Sequence, residues 1–286
     1  MAIENGRYSD ENLTVTLIEG GFGETGFIEP IDAVVNGTAD FGATSISSLL
    51  TARAAGKPVV AIATINQHSP FALISLADRG INRPRDLIGK TVSVAQGGAM
   101  LSYESFLSTQ NIDPESVQLI PRTDFGVEPL INGDVDVLGG WIINENVALG
   151  EAGYETNFIL LSDYAIDSYD TLIFTTEDMV NNRPDVVERF LRATLLGWQD
   201  VISNADQAAK ITVKYGTDLV QEEQLRRLEA FIPLMSSAGS RTGLMSAEVW
   251  DFNYQLLLDG GLLEAPVDVQ SAYTLSFLNR IYDDNQ

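Results

Sequence analysis

Short β-branched runs alternate with segments of helical period along most of this chain, which is the pattern of an α/β layered fold. Leu13-Thr14-Val15-Thr16-Leu17-Ile18 alternates apolar and polar positions and predicts a half-buried strand, broken at Gly20-Gly21-Phe22-Gly23. A helix is expected over Pro30 to Asn36, with Gly37 stopping it. Asp40 to Ala43 reads as a short strand feeding Thr44-Ser45-Ile46-Ser47-Ser48, whose hydroxyls can cap a helix running to Ala55. Val59 to Ile65 is a continuous apolar run, as in a strand covered on both faces.

Two extended segments, Phe71 to Leu76 and Leu172 to Thr176, stand apart from this series. Between them lies a self-contained α/β block. Its strands are predicted at Thr91 to Ala95, Val117 to Ile120, Val135 to Leu138 and Phe158 to Leu161, and its helices at Ala99 to Gln110, Val127 to Asn132 and Asn144 to Ala152. After residue 176 the chain turns helical. Pro184 suits a first helical position, and Val187, Leu191, Thr194, Leu195, Trp198, Val201 and Ile202 recur at helical spacing. Further helices are expected over Ala205 to Tyr215, Glu222 to Leu234, Ala247 to Asp259 and Ser271 to Tyr282. One α/β half interrupted by another predicts two lobes joined by a two-stranded hinge: residues 1–70 with 172–286 form one, and 71–171 the other.

Composition narrows the function more than the fold. The 286 residues carry a formal charge of −23, so nucleic acid and acidic membrane surfaces are not expected partners. With no cysteine, disulfides, thiolate metal sites and cysteine nucleophiles are excluded. One histidine, His68, cannot build a His-rich metal cluster, and its plain reading is a loop or hinge residue. No run approaches the roughly 18 apolar residues of a membrane span, and the first residues, Met1-Ala2-Ile3-Glu4-Asn5-Gly6, have no signal-peptide pattern.

Ligands of open α/β sheets bind beyond the carboxyl ends of strands, where helix N-termini offer free N–H groups. That rule selects Gly21 in its glycine turn, Ser45 and Ser47, Gln67 and Ser69 beside His68, Gln96 and Gly97, and Trp141, Asn144 and Glu145 after Gly139-Gly140. Tyr164 and Tyr169 lie just before the return crossing. Each has a plainer reading. The glycines can be simple turns, Ser45 and Ser47 simple caps, Glu145 a carboxylate at the positive end of a helix, and Trp141 and the tyrosines core. Together, an indole face beside an amide and a carboxylate suits a flat nitrogen-containing ring. No nucleophile, base and metal set assembles, which favours binding over turnover, with no cofactor expected.

The stretches Val35-Asn36-Gly37-Thr38-Ala39-Asp40-Phe41-Gly42, Gln67-His68-Ser69-Pro70-Phe71-Ala72-Leu73-Ile74-Ser75, Pro84-Arg85-Asp86-Leu87-Ile88-Gly89-Lys90-Thr91-Val92 and Asn144-Glu145 carry a resemblance. Pro184 with Val187-Glu188-Arg189-Phe190, and Tyr273-Thr274 with Phe277-Leu278, extend it. The chain resembles the substrate-binding proteins of ABC importers, in the group joining sulfonate, taurine and nitrate binders to thiamine-pyrimidine binders and thiamine-pyrimidine synthases. The resemblance implies a type II periplasmic binding protein fold outside the cytoplasm, lipid-anchored in some members. It implies a monomer that closes on a small solute and delivers it to ABC transporter permease subunits. A pyrimidine-like solute is the leading expectation, with sulfonate, nitrate or a riboflavin-type solute as alternatives. The synthase alternative is disfavoured because it needs a cysteine-rich segment and a histidine in another context. Members of the group begin with a signal sequence and a first strand. Here Ala2 to Tyr8 resembles the end of the first helix, so a strand of the first lobe is expected to be absent.

Overall fold

Among the described residues the chain builds a three-stranded and a five-stranded β-sheet, passes between them twice, and adds a separate two-stranded hairpin. The computed structural model describes residues 1–23, 26–164, 166–217, 219–235 and 241–283. Strands are β1 (Gly21–Gly23), β2 (Gly26–Ile28), β3 (Gly42–Thr44), β4 (Val59–Thr64), β5 (Phe71–Leu76), β6 (Thr91–Val94), β7 (Gln118–Pro121), β8 (Val137–Trp141), β9 (Thr156–Leu160) and β10 (Leu172–Thr176). Helices are α1 (Arg7–Asp10), α2 (Pro30–Val35), α3 (Ile46–Ala54), α4 (Gly98–Thr109), α5 (Glu128–Ile131), α6 (Val147–Glu151), α7 (Glu177–Asn182), α8 (Pro184–Ser203), α9 (Ala205–Thr212), α10 (Gln221–Phe231), α11 (Ala247–Asp259) and α12 (Ser276–Asp283).

The first sheet has the order β3-β10-β4, with β10 antiparallel to both neighbours. The returning strand thus lies in the middle. Its two faces are covered by helices, as the unbroken apolar run of β4 requires. On one side Leu49, Leu50, Val59, Phe174, Trp250 and Leu257 pack together, and on the other Ile62, Ala63, Val187, Leu191, Phe277 and Leu278 do. The amphipathic spacing of α8 supplies the second of these faces.

The second sheet has the order β7-β6-β8-β5-β9, parallel among β7, β6 and β8 and antiparallel where β5 meets β8 and β9. Strand periodicity sends Phe71 and Leu73 of β5 to the core under α4, with Val92, Val94, Tyr103 and Phe106. It sends Ala72, Ile74 and Leu76 to the opposite core, with Leu130, Leu138 and Leu149.

Leu13 to Ile18, expected as a strand, joins neither sheet. Leu17 and Ile18 are 65% and 55% exposed. A groove of about 770 Å3 separates this extended segment from the edge strand β3, so no ladder partner is within reach. β8 also runs further than expected, through Gly139 and Gly140. A β-carbon at Gly139 would sit 2.9 Å from Val94 and 3.2 Å from Phe71, and one at Gly140 would sit 2.4 Å from the Glu145 carboxyl carbon. These glycines make room for side chains inside lobe 2 rather than forming a turn.

Candidate functional site

A cavity of about 370 Å3 lies between the two sheets, where the first turns of α3 and α4 face each other. The first lobe contributes Glu29, Pro30, Ala43, Thr44, Ser45 and Ser48; the crossing segments contribute Phe71 and Asp170; the second lobe contributes Ala95, Gln96, Gly98, Ala99, Ser102, Phe125 and Trp141. The lobes touch at its rim. A β-carbon on Gly98 would stand 2.1 Å from Ser45 Oγ and 2.8 Å from Ser45 Cβ, so the absence of a side chain at Gly98 lets the two helix starts meet. Ser45 Oγ is the N-cap of α3 and accepts from Ser48 N at 3.1 Å. α4 begins after Gly97, whose φ of 77° favours glycine.

Behind the cavity the lobes meet a second time. Trp141 stacks on Phe231 of α10 with ring centres 6.1 Å apart, and Trp198 packs on the same phenylalanine at 6.0 Å. Arg226 of α10 pairs with Glu151 of α6. Trp141 therefore has one face fixed by the first lobe while it walls the cavity.

The floor is built from the two crossings. Ser69 Oγ donates to Asp170 Oδ2, Ser69 N donates to Asp167 Oδ1 at 3.0 Å, and His68 Nδ1 lies 2.7 Å from Asp167 Oδ2. Burial raises the Asp170 pKa from 3.8 to about 6; the Ser69 hydrogen bond opposes this and the neighbouring Asp167 charge adds to it. Glu29 is raised as well, first by burial and then by Asp32. No Lys or Arg lines the cavity among the described residues.

Of the residues selected from sequence, Ser45, Gln96 and Trp141 line this cavity, Gly97 sits between two lining residues, and Ser69 lies beneath it, bonded to Asp170. The others are engaged elsewhere. Ser47 is buried within α3, and Gln67 donates its side-chain amide to Leu244 O at 2.9 Å and its backbone N–H to Leu234 O at 2.7 Å. Tyr164 packs edge-on against Phe106 at 5.7 Å. Tyr169 is 2% exposed and its hydroxyl accepts from Ser246 N at 3.1 Å. Gly21 belongs to the β1–β2 hairpin, and Asn144 to the wide helical turn Ile142–Asn146.

Glu145 is buried against Arg122, with Oε1 2.8 Å from Nη1; the two side chains are 6% and 4% exposed. Arg122 also donates to Gly139 O at 2.9 Å and Gly126 O at 3.1 Å, and its guanidinium lies 5.9 Å from the Phe125 ring centre. The carboxylate thus anchors the loop that carries Phe125 to the cavity. Phe125, Phe71, Glu29 and Asp170 were not selected from sequence. Phe125 follows the end of β7, so the strand-end rule applied to that loop would have found it. Asp170 carries no sequence signal; only the meeting of the two crossings brings it under the cavity.

Two sheet-and-helix lobes crossed twice by the chain, with a polar and aromatic cavity between them, define the periplasmic binding protein fold. A Candida albicans gene product described as having that generic fold superposes with a TM-score of 0.70 over 96% of this chain and 90% of its own, at 15% identity. The periplasmic aliphatic sulphonate binding protein SsuA from Escherichia coli superposes at 0.64 over 85% and 77%, also at 15% identity. The sequence profile of the NMT1/THI5-like family matches residues 1–208, and the chain belongs to that family. Relatives include the formylaminopyrimidine-binding protein of Halalkalibacterium halodurans, 26% identical over 96% of this chain and 84% of that protein, and the riboflavin-binding protein RibY of Chloroflexus aurantiacus, 27% identical over 83% and 70%. A Legionella pneumophila protein named as 4-amino-5-hydroxymethyl-2-methylpyrimidine phosphate synthase is 27% identical over 97% and 86%.

Proposed function

We propose that this protein is the solute-binding component of an ABC importer, acting outside the cytoplasm as a monomer, and that it traps a small aromatic solute of aminopyrimidine type between its lobes. The lobes divide at residues 71 and 172. The observation that carries this reading is the lining of the cavity: Trp141, Phe125 and Phe71 supply flat apolar faces, while Glu29, Asp170, Ser45, Ser102 and Gln96 supply polar edges without a cationic side chain. A sulfonate or nitrate would meet two carboxylates and no Lys or Arg. The names of the relatives that bind formylaminopyrimidine and riboflavin support the same solute class.

Binding without turnover is the reading for the same site, because among the described residues no hydroxyl on the cavity lining is hydrogen-bonded to a carboxylate on it. The Legionella relative favours one alternative, a synthase-like reaction. His68 stands on the crossing beside Asp167, but the chain has no cysteine-rich segment to accompany it.

A thermal-shift screen across aminopyrimidines, flavins, alkanesulfonates and nitrate tests the proposal, since a ligand held only by the folded state raises Tm. Aminopyrimidines are expected to give the largest rise. A rise confined to sulfonates or nitrate defeats the solute class. Loss of mass at His68, after incubation with pyridoxal phosphate and iron, defeats the assignment as a binder.

A further inference from the structure

Under the binding reading the ionisable groups of the cavity are treated alike. Two carboxylates line it, and they differ. Glu29 is committed to the start of α2, where the Ile31 N–H bonds it and Asp32 and Lys57 are its charged neighbours. Asp170 stands on the floor, where Ser69 bonds it through Oδ2 and the Ser168 side chain also stabilises the carboxylate. Each carboxyl oxygen has two lone pairs, so the two serines leave acceptor capacity on the group. A planar carboxyl with acceptor capacity to spare, below a slot walled by Trp141, Phe125 and Phe71, matches the edge of a flat ring that carries an amino group beside a ring nitrogen.

We propose that Asp170 is the residue that selects the solute: a nitrogen heterocycle bearing an amino group beside a ring nitrogen docks that edge on the Asp170 carboxyl. This rests on the aromatic-solute reading above. The amino N–H donates to one oxygen, and a single proton is shared between the ring nitrogen and the other. Above pH 6 the free carboxyl is ionised, so the shared proton comes from solvent on binding and returns there on release; no covalent bond changes. The pKa of about 6 places Asp170 where such sharing costs little. The charged groups around it are Asp167, across Ser69 and itself bonded to His68, and Glu29 across the cavity. The second lobe puts no charged side chain on the lining; its Arg122–Glu145 pair is buried behind Gly139 and Gly140.

Calorimetry on the full chain, with 4-amino-2-methylpyrimidine and 2-methylpyrimidine as probes, tests this. Titrations at about pH 7.5 in buffers of different ionisation heat count the protons taken up. The wild type is expected to take up close to one proton and to prefer the amino probe by roughly tenfold or more, because without the amino group one carboxyl oxygen is left unmatched. Asp170→Asn is expected to take up none and to lose the preference, while Glu264→Gln, an exposed carboxylate outside the cavity, keeps both. Amino-probe binding without proton uptake by the wild type overturns the assignment whether or not the variant folds. An unchanged preference in Asp170→Asn overturns it while leaving the aromatic-solute reading intact. If the wild type binds neither pyrimidines nor flavins, both fall.

Discussion

The two lobes share a plan and differ in how they finish their sheets. In lobe 2 five strands are laddered, and the crossing strand β5 is paired on both sides along nearly its whole length. In lobe 1 the main sheet ladders three strands while β1 and β2 pair only with each other, β3 is only three residues long, and its outer side faces the groove bounded by Leu13 to Gly20. The difference shows where burial comes from. The core of lobe 1 has its centre on β4 and β10 under α3, α8, α11 and α12, and the edge toward Leu17 adds little to it. The two lobes also use charge differently. Lobe 2 buries its Arg122–Glu145 pair, whereas lobe 1 ties its N-terminal segment down with partly exposed pairs such as Arg7–Asp200 and Arg192–Glu11.

That contrast is broken most severely at Glu145. Glu145→Ala leaves the Arg122 guanidinium buried without its partner and is expected to cost about 3–5 kcal/mol, read by urea unfolding. Asp200→Ala in lobe 1 removes a partly exposed partner and should cost less than about 1 kcal/mol. Equal losses would show that the two lobes do not differ in this way. Because Arg122 positions the Phe125 loop, Glu145→Ala should also weaken ligand capture even where the protein remains folded.

The hinge comes next. An Asp whose pKa rises on folding binds its proton more tightly in the native state, so ionising it opposes folding. Stability from Asp170 is therefore greatest below pH 3.8, falls as pH rises, and is fully lost above about pH 6. Asp170→Asn should then gain up to about 3 kcal/mol at neutral pH, taking roughly 1.4 kcal/mol per pKa unit, with no gain in acid. Denaturation midpoints at the two pH values check the sign; a loss at neutral pH refutes it.

At the rim, Gly98→Ala would push its methyl group into Ser45 Oγ and hold the lobes apart. Stability should change little, since each lobe keeps its core, while ligand affinity falls by about tenfold, equivalent to about 1.4 kcal/mol. Unchanged affinity would mean that capture does not require this contact. The smallest effect is expected at Thr16→Pro. Thr16 has no ladder neighbour, so proline there should cost under about 0.5 kcal/mol, whereas Leu73→Pro in β5 removes ladder bonds and should prevent folding of lobe 2. A large loss from Thr16→Pro would show that the segment is paired after all.

Local pattern made much of this molecule legible. Phe71–Leu76, Leu172–Thr176 and Ala247–Asp259 occupy the ranges their periodicity indicates, because each combines a regular apolar repeat with a clear break at both ends. Leu13–Ile18 has as regular a repeat and forms no strand, since periodicity records which face could be buried and says nothing about a neighbour to pair with. Ser45, Gln96 and Trp141 were found because strand ends and helix starts are local features. Glu145 also lies near a strand end, but Arg122, more than twenty residues away along the chain, takes its carboxylate into the interior.

The sequence by itself determined that this is an acidic α/β chain with one half inserted into the other, and that most backbone elements begin and end where they do. Those properties follow from composition, period and capping, which act over a few residues. Only the tertiary structure decided which of two such carboxylates lines the cavity. Glu145 and Asp170 are both acids near strand ends, and what separates them is whether an arginine or the cavity lies opposite. That depends on contacts between distant segments, whose electrostatic consequences no local pattern encodes.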